Sequence, residues 1–343
     1  MKGSLGDLKV AWLTWEVSGK PKTYGDLESQ NLPFAFPEWD IEYWHQRDIA
    51  DGKRDPSELA EMDVVIITSA VWNDYRTDVN LQVLEMLEHP FVVVRAIGEW
   101  GKWAGSWGPD GLRRFALQLM HPNVDVIWAD ELSYTYLSHV TGKPVRDLGH
   151  PYPLDYVRGF RVDLDERKPI VYFARPGCLH RWATYSLVNH LPDGWLARVV
   201  LSGDEAEEEM LWTVVRRRDK VEIVETVPRW EDYLRRLAEC AIMVSVDHRY
   251  TMGRFPIDAA ALGIPCIGGN SHSARRLFPD LVCEPWRVDQ QLEALLKLIE
   301  DFEGDRAFYS SVVERADREV VNYSIESCRK KWLDVLREFG VIG

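Results

Sequence analysis

The sequence is short of positive charge. Its 41 lysines and arginines face 55 aspartates and glutamates, for a net charge of −14. A broad phosphate-binding surface needs the opposite balance, so nucleic acid is disfavoured as a partner without being excluded. Long apolar runs are missing as well. None approaches the ~20 residues that span a bilayer, and no basic amphipathic helix suggests membrane docking. The opening MKGSLGDLKVAWLTW lacks a signal-peptide layout, so the expected location is the cytoplasm. Cysteine is sparse: Cys178, Cys240, Cys266, Cys283 and Cys328 are scattered, with no CxxC pair and no Cys/His ligand spacing. Free thiols in a reducing compartment are expected, and no metal site. No GxGxxG follows the first apolar strand, which disfavours a simple dinucleotide enzyme; no P-loop, GxSxG or HExxH occurs.

What is present is a regular alternation. A chain of 343 residues is too long for one ordinary core, and two domains are expected. KVAWLTWE, WDIEYW, VVIITSA, FVVVRAI and VDVIWAD read as strands of the first half. Val79–Leu87 and a segment near Glu131–Val140 read as helices between them, with a short helix opening at Pro56 and a long loop over Ser18–Pro37. In the second half PIVYFA, ARVVLSG, VEIVET, AIMVSVD, PCIGG and LVCEPW read as strands. Helices are expected at Trp182–His190, Trp230–Ala241 and after Asp289. Strands alternating with helices make right-handed βαβ units and parallel sheets, hence an α/β chain of two doubly wound, Rossmann-like domains. The Pro/Gly-rich DLGHPYPLDY marks the hinge. We assign residues 1–150 to the first domain, 151–320 to the second and 321–343 to a closing helix.

Ligands of open α/β sheets sit at the carboxyl ends of strands. Three such places carry informative residues. After PIVYFA comes RPGCLHR, where Arg175 and Arg181 flank a Pro-Gly turn and can clamp a diphosphate with their planar forks. The bland reading is two solvent-facing charges. After ARVV, Ser202 and Gly203 either bring backbone close to a ligand or form an ordinary turn. After AIMVSVD comes HRYTMGRFPIDAAALGIPCIGG. Here a Gly253 loop leads into a helix expected near Phe255–Pro256, with Asp258 in its first turn, where the dipole favours an acid. Fifteen tryptophans, many in the first half, either pack or line an acceptor groove.

The run Asp-Ala-Ala-Ala-Leu-Gly-Ile-Pro-Cys at 258–266 resembles the donor-site signature Glu-Ala-Met-Ala-x-Gly-x-Pro-Val of retaining, nucleotide-sugar-dependent GT-B glycosyltransferases (group 1, family 4-like). The resemblance implies two such domains facing each other across a cleft, acceptor domain first and donor domain second. YSIESCRKKWLDVLREF resembles the final helix that crosses back to the first domain. It further implies Asp258 on the donor ribose and Arg175 and Arg181 on the diphosphate. Gly203, Val227, Tyr250, Gly253, Arg254 and Phe255 would line the donor site. Tyr250 stands where the family often has a first glutamate, and Arg181 where a lysine is usual. FVVVRAIGEW offers Arg95 and Glu99 where relatives place a histidine. The donor would be a UDP- or GDP-sugar, with no cofactor or metal required. The acceptor would be a glycan, a lipid-linked sugar, a small molecule or a modified DNA base. An inverting variant would draw its base from Glu16, Asp74 or Glu99. Two rival readings keep the fold and change the activity: an epimerase or hydrolase of nucleotide sugars, and a nucleotide-sugar-binding protein without catalysis.

Overall fold

The computed structural model describes residues 8–15, 28–69, 75–96, 100–129, 134–174, 181–201, 205–225, 229–247 and 252–343. Eleven strands are present among them: β1 (Lys9–Thr14), β2 (Asp40–His45), β3 (Val64–Thr68), β4 (Phe91–Arg95), β5 (Val126–Trp128), β6 (Val145–Arg146), β7 (Lys168–Phe173), β8 (Leu196–Leu201), β9 (Val221–Glu225), β10 (Cys240–Ser245) and β11 (Cys266–Gly268). The helices of the first part are α1 (Glu28–Ala35), α2 (Gln46–Ala50), α3 (Tyr75–Met86), α4 (Trp100–Met120) and α5 (Tyr134–Thr141). Then follow α6 (Leu154–Arg158), α7 (Arg181–Tyr185), α8 (Glu205–Val214), α9 (Trp230–Ala238), α10 (Arg254–Leu262), α11 (His272–Leu277), α12 (Val288–Glu303), α13 (Ala307–Val320) and α14 (Ile325–Glu338). The chain divides into two compact units, Met1–Pro153 with Asn322–Gly343, and Leu154–Val321.

The first unit holds a six-stranded sheet in the order β2-β1-β3-β4-β5-β6, all neighbours parallel. Its inner strands β3, β4 and β5 are buried at every residue, as parallel strands covered by helices on both faces must be. Alternate residues divide the burial. Leu13, Val65, Val92 and Ile127 face α3, α4 and α5 through Val83, Leu119 and Leu137. Val10, Ile66, Val93 and Trp128 face the other way, against Leu32 and Phe36 of the α1 region and Trp332 and Leu336 of α14. Trp332 has edge contacts with Trp128, Trp39 and Phe36, with ring centroids 5.6, 6.1 and 6.4 Å away. Trp12, Trp39, Trp44 and Trp128 are therefore core residues.

The second unit holds a five-stranded parallel sheet, β11-β10-β7-β8-β9. The chain runs outward from β7 to β9, then returns to the opposite side of β7 as β10. Its order reverses between β7 and β10, and that switch point is where doubly wound sheets bind ligands.

Two local expectations are corrected. The supposed loop over Ser18–Pro37 contains α1, with Pro33 inside it. Leu32, Ala35 and Phe36 bury against the sheet, and that packing outweighs the proline. LVCEPW does not form a strand. A single bridge joins Gly268 and Val282, and Cys283 N–H donates to Gly268 O at 2.9 Å. The ladder stops there because Glu284 N–H turns to Gln290 Oε1 at 3.2 Å and Pro285 has no N–H to give.

Candidate functional site

The site is built where β10 and β11 end. β10 is wholly buried and runs out at Ser245 beside Gly268 of β11. Beyond the strands, Asn270 N–H donates to Asp247 O at 2.9 Å, tying the two exits together. Ser271 caps α11, its Oγ accepting Ala274 N–H at 3.3 Å. Ser273 N–H donates to Met252 O at 2.9 Å, and Ser273 Oγ donates to Gly253 O. The loop before α10 is thereby clamped onto the start of α11.

Gly253 is the N-cap of α10, with φ 78° and ψ 91°. This backbone conformation disfavours any residue with a Cβ. Space excludes one too, because a Cβ here would lie 2.4 Å from Ser271 Oγ and 2.7 Å from Ser273 Oγ. Gly253 offers no side chain to cap the helix. The backbone amides of the first turn of α10 therefore start without that partner. At the other end Gly263 takes the left-handed conformation, φ 73°, and closes the helix before Ile264 and Pro265. Pro256 through Leu262 are all buried, the alanines among them.

Asp258 sits on this helix at 1% exposure. The helix begins at Arg254, one residue ahead of the expected Phe255–Pro256 start, so Asp258 lies one full turn in, beyond the first-turn position expected for it. Interaction with the helix dipole fades past the first turn and does not account for it. A side-chain partner does: Arg254 Nε donates to Asp258 Oδ1 at 3.3 Å. The Arg254 guanidinium lies over the Trp230 ring, 4.6 Å from its centroid. Phe255 meets Tyr233 edge-on at 6.1 Å, and Tyr233 meets Tyr172 at 5.9 Å. Burial pushes the Tyr172 phenol well above its ordinary value, and the Asp258 charge adds to the rise. The start of α9 and the start of α10 thus share an aromatic and cationic wall.

Of the residues singled out from the sequence, the structure brings Gly253, Arg254, Phe255 and Asp258 together. Arg181 is the first residue of α7, directly downstream of the β7 exit. Its side chain lies outside the described ones. Arg175, Gly203, Val227, Tyr250, Glu99, Glu16 and Asp74 lie outside the described residues. Arg95 belongs to the first unit. It ends β4, is 6% exposed, and its guanidinium stands 5.7 Å from the Trp12 ring and 5.2 Å from the Trp128 ring. Trp12 Nε1 in turn donates to Thr68 Oγ1 at 2.9 Å, so the carboxyl edge of the first sheet is polar and buried there. Sequence reasoning passed over Trp230, Ser271 and Ser273. The serines follow directly on Gly-Gly-Asn at the end of β11, and the strand-end rule applied to AIMVSVD reaches them as well.

Cys240, Cys266, Cys283 and Cys328 are free and buried. Among the described residues, no group of three or more His, Cys, Asp or Glu could hold a metal, and no helix is long and apolar enough to cross a membrane.

No protein-family model and no curated protein matches the sequence. Solved structures do. Anabaena Alr3699/HepE in complex with UDP-glucose aligns with a TM-score of 0.70 at 13% identity, over 96% of this chain and 100% of that one. Sucrose-phosphate synthase (tll1590) from Thermosynechococcus elongatus aligns with a TM-score of 0.72 at 13% identity, over 97% and 99%. An E. coli structure described as trehalose-6-phosphate bound with UDP-2-fluoro glucose aligns with a TM-score of 0.70 at 9% identity, over 96% and 99%. At such identities the likeness speaks for the fold: this chain has the GT-B fold, a doubly wound Rossmann-like sheet in each of its two units.

Proposed function

We propose that the chain is a glycosyltransferase that moves a sugar from a nucleotide-diphosphate sugar, UDP- or GDP-linked, to an acceptor hydroxyl. One observation carries the reading: a nearly fully buried carboxylate, Asp258, stands on the helix that leaves the switch-point strand β10. That helix opens on a glycine whose surroundings admit no side chain. The UDP-sugars held by the Anabaena and E. coli structures of the same fold support it. In this reading the second unit takes the donor and residues 1–150 take the acceptor. Asp258 accepts the ribose hydroxyls. Arg175 and Arg181 meet the diphosphate, where charge grows as the sugar leaves, a preorganised electrostatic role. Gly203, Val227, Tyr250, Gly253 and Phe255 line the donor. Arg95 and Glu99 serve the reacting sugar.

The bond from the anomeric carbon to the diphosphate oxygen breaks, and a bond to the acceptor oxygen forms. The acceptor proton passes to the leaving phosphate, with attack on the leaving-group face and retention of configuration. The arginines supply the cations of this scheme, so it needs no metal. The acceptor is a glycan, lipid-linked sugar, small molecule or modified DNA base, and the reaction is cytoplasmic.

The test is turnover. The protein is incubated with a panel of UDP- and GDP-sugars, with and without candidate acceptors, and free nucleotide diphosphate is measured by mass spectrometry. Acceptor-dependent release from one donor is expected. Binding without release across the panel contradicts the reading, and acceptor-independent release favours an epimerase or hydrolase.

A further inference from the structure

Arg254 is badly placed for the stability of its own helix. It occupies the first position of α10, where the helix dipole is unfavourable to a cation. It precedes its acid by four residues, which is the weaker order for an ion pair along a helix. Neither effect explains an arginine there. Its surroundings do. The Asp258 side chain is 1% exposed and that of Arg254 17%. A carboxylate buried that deeply stays ionised only beside a cation or several donors. Arg254 is a cation that donates to it, and the Arg254 guanidinium lies over the Trp230 ring, 4.6 Å from its centroid. A cation over an indole face is held by the ring quadrupole as well as by contact.

We propose that Arg254 is a positioning residue that sets the site's preference for ribose. It keeps the Asp258 carboxylate charged and aimed, and Trp230 keeps Arg254 in place. The inference rests on the donor-site reading given above. Its chemical content is specific. A carboxylate accepts from two neighbouring hydroxyls at once, whereas a carboxylic acid must spend one oxygen as a donor. Loss of Arg254 therefore costs discrimination between ribonucleotides and deoxyribonucleotides, beyond any general loss of affinity.

The experiment titrates UDP against 2′-deoxy-UDP, and GDP against 2′-deoxy-GDP, by calorimetry. The proteins are the full chain, Arg254→Met, Arg254→Gln, Arg254→Lys and Asp258→Asn, with folding checked by circular dichroism. The full chain should prefer one ribonucleotide to its deoxy counterpart by roughly tenfold to a hundredfold, the strength of a charge-assisted hydrogen bond. Arg254→Met should bring that ratio close to one, and Arg254→Lys should keep most of it. Arg254→Gln is the second neutral variant should the methionine protein not fold, with the same expectation. An unchanged ratio in a folded neutral variant overturns the inference. So does an equal loss of affinity for both nucleotides, which marks a structural or phosphate-contacting role. If those results appear while Asp258→Asn still abolishes the preference, the donor-site reading stands and only Arg254's role falls. If the full chain binds neither nucleotide, both fall.

Discussion

At the scale of single residues, the site depends on what surrounds Asp258 and Gly253. Asp258→Asn keeps the volume and removes the charge. It should weaken nucleotide binding at least about tenfold, close to 1.4 kcal/mol, in a calorimetric titration. Undiminished affinity removes Asp258 from the donor site. Gly253→Ala places a Cβ against Ser271 and Ser273 at a positive φ. Strain of that kind costs about 1–3 kcal/mol, and a lowered denaturation midpoint should report it. A midpoint equal to that of the parent protein would show that the loop relaxes freely. The residue scale is also where the sequence was least legible. Asp258 could be picked out by its apolar neighbours and by the strand-end rule. Arg254 could be placed in the donor lining but not paired with Asp258, because an Arg at i and an Asp at i+4 mean little until the burial of each is known. The serines that clamp the Gly253 loop are contacts across 18 and 20 positions of chain, which no local pattern encodes.

At the scale of elements, alternation along the strands was enough to find the sheets. The uncharged run VVIITSA and the run AIMVSVD, apolar up to its closing Asp247, mark buried strands, and β3 and β10 are buried throughout. Elements held by tertiary packing were harder. Helix α1 carries a proline and no clear periodicity, and it exists because Leu32 and Phe36 reach the core. LVCEPW has strand composition but carries Pro285, and only one bridge forms.

Helix α14 gives two predictions. Trp332 is fully buried among Trp39, Trp128 and Phe36. Trp332→Ala should cost about 3–5 kcal/mol, the range for truncating a large aromatic in a core, read from chemical denaturation. A loss below about 1 kcal/mol would mean that α14 does not close this core. The same helix supplies Lys331, which donates to the partly buried Asp147. Burial pushes the Asp147 carboxyl up, but the Lys331 ammonium, His150 and the Gly149 amide more than offset it, and it ends below its ordinary value. A lowered carboxyl contributes stability that is complete above its unfolded value, about 3.9, and is lost as pH falls through the folded one. Lys331→Met should therefore cost about 1–3 kcal/mol near neutral pH. The gap from the parent protein should narrow as pH falls below about 4, because Asp147 then protonates. A gap independent of pH would assign the loss to packing alone.

At the scale of the whole molecule, length and strand alternation gave two doubly wound units, and the hinge proposed around Asp147–Tyr156 contains the boundary between Pro153 and Leu154. Many of the tryptophans could be read as an acceptor groove or as core, and composition cannot separate those. Trp12, Trp39, Trp44 and Trp128 turn out to pack the first sheet. The acidic balance of the chain says little about the proposed donor site, whose cations would be Arg175 and Arg181. The central claim, that the second unit holds a nucleotide-diphosphate sugar through the start of α10, is tested most directly by thermal unfolding with UDP- and GDP-sugars and their free diphosphates. A ligand at a hundred times its Kd stabilises the folded state by about 2.7 kcal/mol. The account predicts that one sugar nucleotide and its own diphosphate raise the midpoint of the parent protein, while Asp258→Asn shows a clearly smaller rise and Arg175→Ala none. A midpoint that no nucleotide moves, or a rise that survives in both variants, would contradict it.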